Sequence, residues 1–124
     1  MTDNRRVQFQ AILKEFQAKT PDVEAVSLVS TDGFVLADCS PGHVDEETVG
    51  AVSAAILSLG NRATAELDRG AMEQLILKTE RGYMFYFFLE CEVVLCIVTG
   101  NQARIGLILL DVGVAIRQLT EVLQ

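Results

Sequence analysis

The sequence predicts an α+β domain of three layers, in which a five-stranded antiparallel sheet has helices on both faces, in the order α-ββ-α-βββ-α. Three observations favour this fold. Apolar residues recur at helical spacing in three segments, and five short segments between them are rich in β-branched and aromatic residues. The joints within each group of strands are too short for parallel crossovers. The length of 124 residues corresponds to a single domain, residues 1–124, with one core.

The N-terminal part of the chain predicts a helix followed by a hairpin. The helix extends from Asn4 to Lys19 and ends at Thr20-Pro21. Its apolar face comprises Phe9, Ile12, Leu13 and Phe16. Two β-rich segments follow, Val23 to Ser30 and Phe34 to Cys39, and the Asp32-Gly33 pair between them is typical of a tight hairpin turn.

The middle helix is the most informative element, because residues 49–60 carry no charge on any side although the net charge of the chain is −7. A helix that is apolar all round must be buried all round. We expect it to begin after the acidic residues 45–47, which complement the helix dipole, and to reach about Leu67. Its bulky face is predicted to pack on the core: Val49, Val52, Ile56, Leu59, Ala63 and Leu67.

The opposite face of this helix carries small residues, which let another backbone come close. These are Ala51, Ala54, Ala55, Ser58 and Ala65. A domain of 124 residues has little chain left to cover that face. We therefore expect the face to pack against a second copy of the chain.

The C-terminal half predicts a three-stranded meander and a final helix. After the break at residues 68–70, the strands occupy residues 71–80, 83–90 and 93–99, joined by Arg81-Gly82 and by residues 90–92. The last two strands are apolar on both faces, which is typical of central strands, whereas the mixed pattern of Met72 to Thr79 favours an edge strand. Asn101 is expected to cap the last helix. Its apolar stripe comprises Ile105, Leu109, Val112, Ile116, Leu119 and Leu123.

Composition argues against several classes of partner. The chain has ten Lys and Arg but seventeen Asp and Glu, and its largest basic cluster is the pair Arg5-Arg6. It therefore lacks a surface that could neutralise phosphates, and we expect no nucleic-acid binding. The sequence shows neither a secretory signal nor an apolar run long enough to span a bilayer, so we expect a cytoplasmic protein without membrane insertion. The three cysteines show no C-x-x-C spacing, which predicts neither a disulfide framework nor a zinc site. Cys96 is predicted to be a core residue.

Catalytic motifs are scarce. The single histidine, His43, lies in a Pro-Gly loop, and a pairing with Cys39 is less favoured than a solvated loop position. Neither a P-loop nor a G-x-G-x-x-G motif occurs. We therefore predict that the chain is not an enzyme and binds no cofactor or metal.

A small-ligand sensory module remains an alternative, but we expect the aromatic residues of the second meander strand to fill the core and few polar residues to converge inside.

Three segments occur in order and without insertions: PDVEAVSLVSTDGFVLA, the small-residue helix that ends in GNRATAEL, and EQLILKTERGYMFYFFL. In this arrangement the chain resembles the roadblock/light-chain-seven (dynein light chain) family, in particular its bacterial single-domain members, over nearly its whole length. The resemblance implies a profilin-like fold and a homodimer whose third strands pair and whose middle helices lie side by side. It also implies a non-catalytic regulator, of GTPase-activating or effector type, of a small Ras-like GTPase. A scaffold or adaptor subunit of a larger complex is the alternative.

The helical-wheel positions of the middle helix and the family resemblance together predict two sets of site residues. The dimer interface is predicted at Ala51, Ala54, Ala55, Ser58, Met72, Gln74, Ile76 and Lys78. Partner binding is predicted at Asn61, Arg62, Ala65 and Arg69. An arginine there could supply a guanidinium to a GTPase transition state, an effect worth ~10³ to 10⁵ in rate where it operates. Solvated surface roles for Arg62, Arg69 and Arg81 are the alternative.

Overall fold

A computed structural model describes residues 3–124 of the protein, and Asp3 by its backbone only. The elements are α1 (Asp3–Lys19), β1 (Val23–Ser30), β2 (Val35–Cys39), α2 (Glu46–Glu66), β3 (Gln74–Thr79), β4 (Gly82–Leu89), β5 (Val93–Thr99) and α3 (Ile105–Leu123). The predicted order of helices and strands is confirmed.

The five strands form one antiparallel sheet in the order β2-β1-β5-β4-β3. Strands β3, β4 and β5 form the predicted meander, and β3 is an edge strand, as its mixed polarity indicated. The hairpin turn between β1 and β2 lies at Asp32-Gly33, where Gly33 adopts φ +97°, a conformation that favours glycine. The short loops therefore set the β1-β2, β3-β4 and β4-β5 pairings locally, whereas β1 and β5, which pair at the centre of the sheet, are remote in sequence.

The two faces of the sheet are covered unequally. Helices α1 and α3 pack together over one face, where a large buried cluster includes Phe9 and Leu13 of α1 and Leu119 of α3. Helix α2 alone covers the other face. The cluster beneath α2 is smaller and comprises Val29, Leu57, Tyr86, Val94 and Cys96. Cys96 is a core residue there, as predicted, and is 4% exposed.

Helix α3 does not begin as expected. Its N-cap is Arg104 rather than Asn101, and the Arg104 side chain makes no capping hydrogen bond. Instead, the Asp22 carboxylate from the loop before β1 accepts hydrogen bonds from the Arg104 backbone N and Nε, both at 3.0 Å. A carboxylate at a helix N-terminus is favoured by the helix dipole. The guanidinium of Arg104 also lowers the pKa of Asp22.

Helix α2 ends in a left-handed turn at Asp68. The Asp68 N donates to Ala65 O at 3.2 Å and the Arg69 N donates to Thr64 O at 2.8 Å, which is the pattern of a Schellman motif. Asp68 occupies the position where glycine is preferred and has φ +53°. Its carboxylate also faces the negative end of the helix dipole.

We expect Asp68→Gly to raise the free energy of unfolding by about 0.5 to 1 kcal/mol, because glycine adopts this conformation without steric cost. Asp68→Asn, which removes only the charge, should give a smaller gain. Urea denaturation of the three proteins measures the difference. A loss of stability in Asp68→Gly would contradict the assigned turn.

Candidate protein-interaction surface

Helix α2 packs on the sheet through a different face from the one predicted. Its buried residues are Gly50, Ser53 and Leu57. Of the face expected to meet the core, Val49 and Ile56 do pack against the cluster beneath the helix. The rest of that prediction was wrong, since Val52 is 42% exposed, Leu59 and Leu67 are each 69% exposed, and Ala63 is exposed.

Close backbone approach explains this orientation. A Cβ on Gly50 would lie 2.0 Å from the carbonyl oxygen of Gly33, so the helix rests directly on the β1-β2 turn. Further along, a Cβ on Gly60 would lie 2.6 Å from the sulfur of Met72. The helix therefore approaches its own domain most closely at its glycines, with Leu57 buried between them, and Val52 and Leu59 are displaced outward.

The outward displacement leaves an apolar strip on α2, which we call the outer α2 surface. Its members are exposed and lie at helical spacing: Ala51, Val52, Ala55, Ser58 and Leu59. No described residue of the domain covers it. Apolar side chains grouped on an exposed helix face are typical of a protein-interaction site.

The structure divides the predicted dimer residues into two groups. Ala51, Ala55 and Ser58 are exposed, as a contact with a second copy requires, whereas Ala54 is half-buried beside Gly33. Met72 is also half-buried, because its side chain packs beneath α2.

The predicted strand residues lie on the exposed edge strand. Gln74, Ile76 and Lys78 are exposed on β3, and Ile76 pairs with Phe85 of β4. The Lys78 Nζ lies 5.0 Å from the centroid of the Tyr83 ring, a cation-π contact. The other side of β3 has no strand partner among the described residues and is open to pairing.

The predicted partner-binding residues are all exposed near the C-terminal end of α2. They are Asn61, Arg62, Ala65 and Arg69. The Arg62 Nε lies 3.1 Å from Glu66 Oε1, in an ion pair whose side chains are 75% and 65% exposed. Arg69 lies in the turn after the helix, and no ion pair within residues 4–124 involves its side chain. Two guanidinium groups therefore stand at one end of the outer α2 surface.

Sequence analysis missed a cavity of about 610 Å³ between the N-terminal half of α2 and the sheet. The side chains of Ser53, Tyr86 and Cys96 meet there, from one helix and two strands. Few polar residues converge inside the domain, as expected, but these three do meet at one site. Tyr86 and Cys96 are paired across β4 and β5, but Ser53 belongs to a distant element, so no local pattern joins it to them.

The loop before α2 borders this cavity. His43 is exposed, as predicted for a loop histidine. Cys39 accepts a hydrogen bond from Gln10 Nε2 at 3.2 Å, and none of the described hydrogen bonds joins it to His43.

Nowhere in residues 3–124 is there a helix with the length and apolar character needed to cross a membrane.

An antiparallel sheet with one helix on one face, two on the other, and an uncovered middle helix defines a roadblock-type domain. The sequence model of the Roadblock/LC7 domain matches residues 9–99, and the chain belongs to this family. A sequence relative is the uncharacterized protein MJ0310 of Methanocaldococcus jannaschii, which is 33% identical over 90 residues, covering 73% of this chain and 78% of that protein.

Solved structures share the fold at low sequence identity. MglB of Myxococcus xanthus superposes with a TM-score of 0.91 at 15% identity, over 99% of this chain and 92% of that one. The gliding protein mglB of Thermus thermophilus gives a TM-score of 0.85 at 17% identity, over 98% and 93%. Profilin IB of Acanthamoeba castellanii gives 0.65 at 14% identity, over 91% and 97%, in agreement with a profilin-like fold.

Proposed function

We propose that the protein is a homodimer and that the dimer regulates a small Ras-like GTPase without being an enzyme itself. The observation that carries the proposal is the outer α2 surface, an apolar strip that the domain leaves uncovered. Membership of the Roadblock/LC7 family supports it, since the resemblance to bacterial single-domain members implies GTPase partners. The high structural similarity to MglB adds support at the level of the fold.

Two unsatisfied features of the domain support the proposed dimer. Val52 and Leu59 are exposed to 42% and 69%, and burying them against a second copy removes apolar area from water. Ala55 and Ser58 between them are small enough to let two α2 helices approach closely. A twofold axis places the same patch of each copy in contact. The open edge of β3 would pair with its copy across the same axis.

The partner surface is proposed at the C-terminal end of α2. In the proposed dimer, Asn61, Arg62, Ala65 and Arg69 of each copy would lie beside the second copy's α2, in a composite surface that occurs once on each side of the twofold axis. The ion pair of Arg62 with Glu66 is highly exposed, so little free energy holds the guanidinium in place. It is therefore available to an anionic partner group.

We expect the purified dimer to bind a Ras-like GTPase of the same genome in one nucleotide state and not in the other. Arg62→Ala combined with Arg69→Ala should weaken binding or stimulated GTP hydrolysis by about tenfold or more, because guanidinium groups at an interface centre are frequent hot spots. Arg81→Ala, an exposed arginine in the β3-β4 turn, is the control and should match the wild type. Calorimetry and single-turnover hydrolysis measure the two effects.

Measuring GTPase binding and stimulated GTP hydrolysis separately distinguishes a catalytic role of the arginines from a docking role. Loss of stimulation with binding retained would place a guanidinium at the transition state, whereas a joint loss would show that the residues act in docking. If the dimer fails to bind every Ras-like GTPase of its genome in both nucleotide states, the regulator proposal is wrong. A scaffold or adaptor function would then be favoured.

A further inference from the structure

The cavity beneath the N-terminal half of α2 has the dimensions of a small-molecule site. Its volume of about 610 Å³ lies within the usual range of such sites, roughly 300 to 1,000 Å³. An ordered water takes up only about 30 Å³. Most of the wall is apolar, and its aliphatic side chains are Ala25, Pro41, Val44, Val49, Val52, Met84 and Val98. An apolar wall of this extent favours an organic occupant over a cluster of waters.

A buried hydroxyl group points to a ligand at the floor of the cavity. Ser53 is 1% exposed, and its Oγ makes no hydrogen bond of good geometry within the described residues. Buried polar groups in folded proteins are nearly always hydrogen-bonded, so an unpartnered hydroxyl facing a cavity calls for a partner that occupies it. Ser53 alone among the residues of α2 combines burial with a polar side chain.

The neighbouring polar groups on the floor are electrically neutral at physiological pH. Burial raises the pKa of the Tyr86 hydroxyl, and burial raises the pKa of the Cys96 thiol to about 11. The nearby Ser53 side chain lowers the pKa of both groups, although its Oγ meets neither at hydrogen-bonding geometry. The floor thus offers hydroxyl groups and a thiol but no fixed charge.

The rim of the cavity is acidic. Glu24 and Asp45 lie along it, together with His43, and neither lysine nor arginine lines the cavity. Two carboxylates at the entrance disfavour an anion through like-charge repulsion. The rim therefore selects against phosphates and carboxylates.

We propose that this cavity binds a neutral amphipathic small molecule, whose apolar body fills the space between α2 and the sheet and whose hydroxyl or carbonyl group pairs with Ser53 Oγ. The inference is independent of the GTPase proposal. It concerns the opposite side of α2 from the outer α2 surface, apart from Val52 at the edge of both.

Three naphthalene probes with different head groups test the ligand chemistry. We expect 2-naphthol to bind saturably, and 2-methylnaphthalene, which lacks the hydroxyl, to bind about three- to tenfold more weakly, the value of one neutral hydrogen bond. The anion 2-naphthoate should bind most weakly, because Glu24 and Asp45 repel it. Amide shifts in a ¹H-¹⁵N NMR titration should change first in residues 49–53, 84–86 and 96–98.

Two variants test the site itself. Ser53→Ala should abolish the preference for 2-naphthol over 2-methylnaphthalene while both still bind. Val52→Phe should fill the mouth of the cavity and weaken both probes by about tenfold or more. Leu59→Phe is the matched control, since Leu59 is exposed on the same helix and does not line the cavity. Both variants alter the outer α2 surface, so an indirect effect of dimerisation would appear in the control as well.

Three results would overturn the inference. The first is the absence of saturable binding of any probe at millimolar concentration. The second is an equal loss of affinity in Leu59→Phe and Val52→Phe. The third is binding that strengthens on dilution of the protein, which would show that a second copy of the chain fills the cavity.

Discussion

Gly50→Ala is expected to destabilise the domain by about 3 kcal/mol or more, at or above the upper end of the usual cost of overpacking. The new Cβ would lie 2.0 Å from the carbonyl oxygen of Gly33. The clash is therefore between a Cβ, which is fixed to its own backbone, and a backbone atom of the β1-β2 turn. No side-chain rotation relieves it. The N-terminal half of α2 must lift from the β1-β2 turn, which opens the packing around Ser53 and Leu57.

Gly113→Ala provides the matched control. Gly113 lies on the exposed side of α3, and nothing stands within 4 Å of the position its Cβ would take. Alanine should therefore raise stability by about 0.5 to 1 kcal/mol through its higher helix propensity. Denaturation at one fixed protein concentration compares the variants without interference from association. Equal stability of Gly50→Ala and the wild type would refute the close contact between Gly50 and Gly33.

The elements of the fold were predictable because their causes are local. Asp32-Gly33 marks a turn by its own backbone preferences, and the mixed polarity of β3 follows from its place at the sheet edge. The helical spacing of Phe9, Leu13 and Phe16 likewise needs no knowledge of the rest of the chain. Each of these features is written within a few neighbouring residues.

The orientation of α2 depended on a contact that no local pattern reports. A helical wheel ranks faces by bulk and assigns Val52 and Leu59 to the core. The helix instead settles where Gly50 can touch Gly33, and this close approach turns the bulky side chains outward. The pattern predicted that both faces of α2 are covered. The structure covers one face, through a set of residues that differs in part from the one assigned to the core, and leaves the other face exposed.

The capping of α3 and the cavity beneath α2 could not be predicted for a similar reason. Asp22 and Arg104 are separated by 82 positions, and they meet because β1 pairs with β5, with Val23 opposite Thr99, which brings together the loops that carry them. Ser53 and Tyr86 meet only after α2 has packed on β4. Among the predicted interface residues, Ala55 and Ser58 do lie outward, whereas Ala54 is drawn towards the hairpin by the same rotation of the helix.

Ala55→Glu is expected to convert the proposed dimer to a monomer. Ala55 is exposed in the single domain, and glutamate is a good helix former, so the fold itself should remain intact. In the proposed dimer the new carboxylate would be desolvated without a partner, at a cost of several kcal/mol. A cost of about 3 kcal/mol weakens association by roughly a hundredfold. Ala54 is a poorer probe, because a charge there would also disturb its packing beside Gly33.

Sedimentation equilibrium over a range of protein concentrations measures the change in association, and far-ultraviolet circular dichroism confirms that the helices are retained. Ala18→Glu, at an exposed alanine of α1, is the control and should dimerise like the wild type. Stimulated GTP hydrolysis should fall in parallel with dimerisation, because the composite surface around Arg62 and Arg69 requires both copies of α2. A variant at Ala55 that sediments as the wild-type dimer would remove the outer α2 surface from the interface, and the proposed partner surface with it.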